Sequence, residues 1–336
     1  MTTLFRPTRR EVMSAGAIAA GGALSACGGF DRSLLRAADA QPEGYPTVLA
    51  VQEMGRLLAD RSDGRLRIKT YAGGQLGNEK DTLEITLLGG LDLNRVSIAP
   101  LGSIAPEAIV PTLPFLFRST QHMRAALDGP PGDAILDTLK PHKLVGLCFY
   151  DAGARSFYTV KKPIREPEDL HGQKIRVMNS DIFVSMVGAF GGDATPMSYG
   201  EVYQGLLQGV VDGAENNPPS YESSRHFEVA KYYSLTRHVM APEVLLMSLH
   251  RWNKLAEADR SLIRACARDS VAYMRRIWDE RTQAAEADLV AQGVEIIEPD
   301  QAAFAALARP VWDKYLTTPE ARALAAAIEE TGAGDD

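Results

Sequence analysis

Apolar residues recur at helical spacing over Val48, Val51, Met54 and Leu58, just after Pro46 and Thr47, and predict a helix that Gly64 ends. Leu66, Ile68 and Thr70 then alternate with Arg65, Arg67 and Lys69, the pattern of a half-buried strand. After the loop Gly73-Gly74-Gln75-Leu76-Gly77, Asn78 is placed to cap a helix, and a strand follows over Leu91–Ile98 with Asn94 and Arg95 inside it. Val145–Tyr150 is a strongly apolar strand, broken by Asp151-Ala152-Gly153-Ala154-Arg155. The pattern restarts with a strand around Ile175, a helix over Ile182–Phe190 and a short strand near Thr195. Ser198, with Glu201 three residues on, fits a capping box for a helix over Val202–Gln208, and a strand follows over Val210–Glu215. A helical pattern of unusual length runs from Ala258 to Gln292, stopped by Gly293. A short strand through Val294, Ile296 and Ile297 and a last helix over Gln301–Glu330 complete the chain. Residues 28–35 and the tail after Thr331 read as unstructured.

Repeated strand–helix–strand units predict an α/β protein with largely parallel sheets, and the 336-residue length suggests two domains. The chain passes between the two units near Arg155 and again near Ala241-Pro242. That divides it into 36–152 with 241–280, and 153–240 with 281–330. The long helix is able to span both.

The first 26 residues stand apart. Arg6, Arg9 and Arg10 precede a mildly apolar Ala/Gly-rich stretch too short to cross a bilayer, and Arg9-Arg10 fits a twin-arginine export signal. Leu24-Ser25-Ala26-Cys27 reads as a lipobox that makes Cys27 a lipidated N-terminus, with plain cleavage near Ala26 as the alternative. Cys148 and Cys266 sit in apolar surroundings as single buried thiols. The leader carries three arginines and one glutamate, so its removal takes the formal charge from −7 to −9. An acidic body disfavours nucleic acid, and any anion site in it must be made locally by placed arginines.

Arg176 is the first candidate for such a site. It lies in the strand Lys174-Ile175-Arg176-Val177-Met178, on the side opposite Ile175 and Val177. It is either an arginine on a solvated strand face or a receptor for a carboxylate. Arg155, among small residues, is either a surface ion-pair partner or a second arm of that receptor, and Arg95 in its strand calls for pairing with Glu79 or Glu84. Two converging guanidinium forks match the two oxygens of a carboxylate. Glu79, Asn216 and Gln41 are of the right types to meet sugar hydroxyls, and Tyr199 to stack on a ring. None of the histidines His122, His142, His171, His226, His238 and His250 forms an HxxxH pair, and the sequence has no GxSxG elbow, no CxxC, no P-loop and no metal-ligand spacing. No cofactor, metal or catalytic residue is expected.

These motifs add up to a resemblance. Lys174-Ile175-Arg176-Val177, then Pro196-Met197-Ser198-Tyr199-Gly200-Glu201-Val202-Tyr203, then Val211-Asp212-Gly213-Ala214-Glu215-Asn216 resemble the solute-binding proteins of TRAP (tripartite ATP-independent periplasmic) transporters, over about Tyr45–Lys314. The resemblance implies a two-domain α/β periplasmic binding protein, a Venus-flytrap clamp with hinge strands. Such a clamp closes on an organic acid and hands it to the small and large subunits of a membrane permease. It implies that Arg176 holds the substrate carboxylate, that Arg155 assists, and that Asn216, Tyr199 and Glu79 complete the pocket. Asn94-Arg95-Val96-Ser97, Gly153–Thr159 and Glu215–Ser223 look most like members that bind hexuronates such as glucuronate or galacturonate, with Arg95 a third cation or a hydroxyl donor. Gln41 stands where such members tend to carry a histidine. The remaining alternatives are a C4-dicarboxylate or keto acid as ligand, an exported enzyme acting on a uronate, and a sensory binding protein. The expected location is the periplasm.

Overall fold

A computed structural model describes residues 33–332. The export signal, the lipobox with Cys27 and the end of the C-terminal tail lie outside these residues. The strands in chain order are β1 (Leu34–Asp39), β2 (Arg67–Tyr71), β3 (Leu93–Ser97), β4 (Leu144–Tyr150), β5 (Arg155–Thr159), β6 (Lys174–Val177), β7 (Asp193–Pro196), β8 (Gly213–Asn216), β9 (Tyr232–Val239), β10 (Glu243–Ser248) and β11 (Glu295–Ile297). Leu34 and Leu35, expected in an unstructured lead-in, already belong to β1.

The strands form two sheets. One has the order β2-β1-β3-β10-β4, the other β11-β9-β5-β8-β6-β7. The chain leaves the first sheet after β4, through Asp151–Ala154, and returns from β9 to β10 through Met240–Pro242.

The sheets are mixed rather than largely parallel. β1 runs parallel to β3, and β6 parallel to both β7 and β8. The crossing strands enter the other way: β10 is antiparallel to β3 and β4, and β5 to β8 and β9. The βαβ pattern predicts parallel pairing only for strands joined through a helix within one sheet, whereas β5 and β10 each arrive directly from the other sheet.

The sheets also repeat one topology. β1-β2-β3 and β6-β7-β8 occupy equivalent places, each with the first strand between the other two and a crossing strand beside the third. Asp92, just before β3, accepts the amide of Arg36 at 2.8 Å, and Asp212, just before β8, accepts the amide of Lys174 at 3.0 Å. Each aspartate ties the third strand of its unit to the start of the first.

The helix Pro46–Arg61 starts with proline, whose missing N–H costs nothing there, and buries Val48, Val51, Met54 and Leu58. Each such side chain contributes roughly 1.5–3 kcal/mol by leaving water. This helix packs on the long helix Glu257–Ala291, whose 35 residues reach two cores. Ile263, Cys266, Met274 and Trp278 pack with Val51 and Leu245, and Leu289 packs with Tyr158, Tyr221 and Tyr233.

The single terminal helix expected over Gln301–Glu330 is three helices, Gln301–Ala306, Arg309–Tyr315 and Pro319–Glu330. Pro310 and Pro319 each open a new helix, since neither can donate to the turn before it. Trp312 Nε1 anchors the middle piece by donating to the carbonyl of Pro114 at 2.9 Å.

Candidate functional site

The carboxyl ends of β3, β6 and β8 and the amino end of the helix Glu79–Leu87 open on a cavity of about 970 Å³. A cleft at the carboxyl ends of strands is where α/β proteins hold ligands. Gln41, Glu79, Arg95, Arg155, Arg176, Tyr199 and Asn216 all line it, so the seven residues proposed from sequence to meet a ligand share one cavity. Cys148 and Cys266 are buried free thiols in the core.

Local chemistry sets each position. Asn78 Oδ1 accepts the amide of Asp81 at 3.1 Å and Asp81 answers to the amide of Asn78, a capping box that holds Glu79 in the first helical turn. Gly77 before it has φ +116°, and an added Cβ would stand 2.9 Å from that of Asp81, so only glycine fits. Ser198 and Glu201 form the expected capping box: the Glu201 carboxylate accepts the amide of Ser198 at 3.1 Å, which places Tyr199 at the wall.

Arg176 is 2% exposed, with Ile175 and Val177 turned into the core. Its Nε and Nη2 both donate to the carbonyl of Met197, at 2.9 and 2.7 Å. Among the described residues no carboxylate pairs with it, and Nη1 has no protein acceptor. Burial without a counter-ion pulls its pKa below the ordinary arginine value. The solvated strand face is therefore excluded: this arginine is inside, facing a cavity, and its charge is unbalanced.

Burial, then the charge of Arg176, also push His226 down to about 3, so this histidine is neutral. Its Nδ1 meets the hydroxyl of Tyr158 at 2.8 Å, and its ring packs edgewise on Tyr199 at 5.9 Å. Tyr199 donates its hydroxyl to the carbonyl of Ser220 at 3.0 Å, which fixes the ring and commits its polar end. Ser220 Oγ meets the hydroxyl of Tyr45 at 2.8 Å and the amide nitrogen of Gln41 at 3.5 Å. The side-chain oxygen Oε1 of Gln41 is buried with no partner among the described residues.

Arg155 is equally buried but paired. Nε and Nη2 donate to the two Glu215 carboxylate oxygens at 2.5 and 2.8 Å, Nη2 donates again to the Glu215 carbonyl, and Nη1 donates to Asn216 Oδ1 at 2.8 Å. One Nη1 hydrogen of its five is uncommitted. Burial works against the Glu215 anion, yet Arg155 and the neighbouring His238 hold its pKa below the usual carboxylate range. Asn216 Oδ1 also accepts the amide of Asn217 at 2.9 Å, leaving its own amide hydrogens for the cavity.

Arg95, 1% exposed, meets Glu79 as expected, at 3.1 Å, but not Glu84. It also meets Glu243 at 2.6 Å and Asp39, two partners the sequence pattern did not offer. Asp39 stands directly across from Arg95 in the β1–β3 register, and Glu243 on β10 arrives from 148 residues away. Glu79 Oε1 additionally accepts the amide of Ser97 at 3.0 Å.

The sequence model of the bacterial extracellular solute-binding proteins, family 7 (DctP), matches residues 37–318. The chain belongs to this family. Among family relatives it is 42% identical to a solute-binding protein of Chromohalobacter salexigens, over 86% of this chain and 87% of that one. Among solved structures it resembles a TRAP periplasmic solute-binding protein of Bradyrhizobium sp. BTAi1 in complex with α/β-D-galacturonate, with TM-score 0.87 and 49% identity, over 88% of this chain and 99% of that one. It resembles equally a TRAP periplasmic solute-binding protein of Pseudomonas putida F1 with bound D-glucuronate, with TM-score 0.87 and 40% identity, over 89% and 98%. Family membership settles the architecture as the two-domain α/β binding-protein fold, and the class of activity as extracytoplasmic solute binding for TRAP transport.

Proposed function

We propose that this protein binds a hexuronate such as D-galacturonate or D-glucuronate and delivers it to the small and large permease subunits of a TRAP transporter. The observation that carries the reading is Arg176, a cavity-lining guanidinium that is buried and lacks a counter-ion. Such a charge is stabilised by an anion, and a ligand carboxylate supplies one with bidentate geometry. The uronate-bound relatives support the choice of anion.

In this reading Arg176 forms the bidentate pair with the carboxylate. Arg155 adds its one uncommitted Nη1 hydrogen, and the Asn216 amide donates beside it. Glu79 and Gln41 Oε1 accept sugar hydroxyls, Arg95 is a hydroxyl donor, and Tyr199 packs on the ring. The two lobes, 36–152 with 241–280 and 153–240 with 281–330, close on the ligand by a hinge motion that shifts an existing open–closed balance. The ligand leaves unchanged, since the protein acts as a carrier and not as an enzyme. It works in the periplasm, exported through the twin-arginine leader and tethered by a lipid on Cys27.

A thermal-shift screen against sugar acids, C4-dicarboxylates and keto acids tests the substrate. Ligand at 100 times its dissociation constant adds about 2.7 kcal/mol of stability. A response to D-galacturonate or D-glucuronate is expected. Silence toward every uronate and aldonate refutes the hexuronate reading.

A further inference from the structure

Resting on that sugar-acid reading, we propose that the cavity admits a ligand with one carboxylate only. Arg176 takes that carboxylate, and the wall built by Glu79, Glu243 and Asp39 around Arg95 rejects a second one. A hexuronate is then accepted and its aldaric acid, the dicarboxylate of the same carbon skeleton, is refused.

The charges of the two walls carry the argument. On one wall Arg155 and Glu215 cancel, which leaves Arg176 as a net positive centre. On the other, the single guanidinium of Arg95 faces three carboxylates, Asp39, Glu79 and Glu243. Despite its arginine this wall is negative, by two charges with all carboxylates ionised and by one when Glu243 holds a proton. Burial, with Glu79 and Asp39 close by, raises the pKa of Glu243 to about 7 against the pull of Arg95, so crowding of negative charge is already felt without a ligand.

Glu79 and Glu243 line the cavity itself, while Asp39 stands behind them with its carboxylate fully buried. The rim adds Lys80, Glu84, Asp181 and Glu201, all exposed, where water and salt screen them and acid outnumbers base. No element of this wall offers a second anion an unopposed cation. Its carboxylate oxygens accept hydroxyl hydrogens well, and a carboxylate brought against them meets like charge. The arginine within the strand over Leu91–Ile98 looks like a third cation in sequence. The structure makes it the holder of an acceptor cluster, and Glu243 becomes a specificity-determining residue that no motif marked.

Isothermal titration at pH 7.5 with D-galacturonate and galactarate, on the parent, Glu243→Gln and Glu79→Gln, tests the proposal. Galactarate is expected to bind the parent roughly 30-fold or more weakly than galacturonate, the scale of a buried like-charge contact. Both substitutions remove negative charge and keep an acceptor oxygen, so each is expected to narrow that ratio about tenfold. A purely structural role for either residue leaves the ratio fixed. The proposal falls if the parent binds both acids equally, or if neither folded variant moves the ratio. Glu79, with its side chain 21% exposed, keeps the test open if the Glu243 variant does not fold. If galacturonate and glucuronate themselves fail to bind, the hexuronate reading fails first, and this inference with it.

Discussion

Arg155 and Glu215 close on each other as a buried bidentate pair, with Arg155 Nε 2.5 Å from Glu215 Oε2. The pair consumes the one carboxylate on β8, so none on that strand is left to neutralise Arg176. Two arginines facing one cavity thus have opposite fates: one is part of the wall, and the other is left for a ligand.

Removing the charge of Glu215 strands a buried guanidinium. Glu215→Gln is expected to lower stability by about 3–5 kcal/mol, the usual cost of breaking a buried ion pair from one side. Urea unfolding of the ligand-free protein measures it. A loss under about 1 kcal/mol means that water reaches Arg155 and the pair is weak.

Arg176 behaves the other way. Arg176→Met takes away an uncompensated buried charge but also the two donors to Met197, and these opposing effects offset. Ligand-free stability is expected to stay within about 1 kcal/mol of the parent. A drop of several kcal/mol in the same urea experiment assigns Arg176 to the fold instead.

His226 makes stability fall in mild acid. Its folded-state pKa is about 3, below the ordinary 6.5. Between these values the unfolded chain takes up a proton that the folded protein refuses, so the contribution is complete above pH ~6.5 and is lost as pH falls toward ~3. The slope approaches about 1.4 kcal/mol per pH unit. Unfolding free energies at pH 7 and pH 5 are expected to differ less in His226→Gln than in the parent, and equal differences contradict the assignment.

Gly213 opens β8 where the strand is pinched, and an added Cβ would lie 2.6 Å from the carbonyl oxygen of Tyr158. Gly213→Ala is expected to cost about 1–3 kcal/mol by overpacking. Because Glu215 and Asn216 follow on the same strand, ligand affinity should fall with it. Calorimetric melting together with titration separates this from a local effect, in which only one of the two changes.

Much of this was legible in sequence because it is local. The Asn78 cap, the Ser198–Glu201 box, the long helix and the turn of Arg176 away from Ile175 and Val177 all follow from residues a few positions apart. The rest depends on strands meeting across the chain. β10 reads Glu-Val-Leu-Leu-Met-Ser and is buried on both faces, so it shows no alternation. Its place between β3 and β4 was not visible, and with it the contact of Glu243 to Arg95. The same holds for β5, whose antiparallel place beside β8 brings Arg155 to Glu215. Pro310 and Pro319, by contrast, were breaks that the helical pattern masked.

The most direct test is titration of D-galacturonate and D-glucuronate into the parent and Arg176→Ala. Truncation leaves a desolvated carboxylate unpaired, and affinity is expected to fall by roughly 30-fold to several thousandfold, or about 2–5 kcal/mol. An Arg176→Ala protein that binds its hexuronate as tightly as the parent contradicts the account.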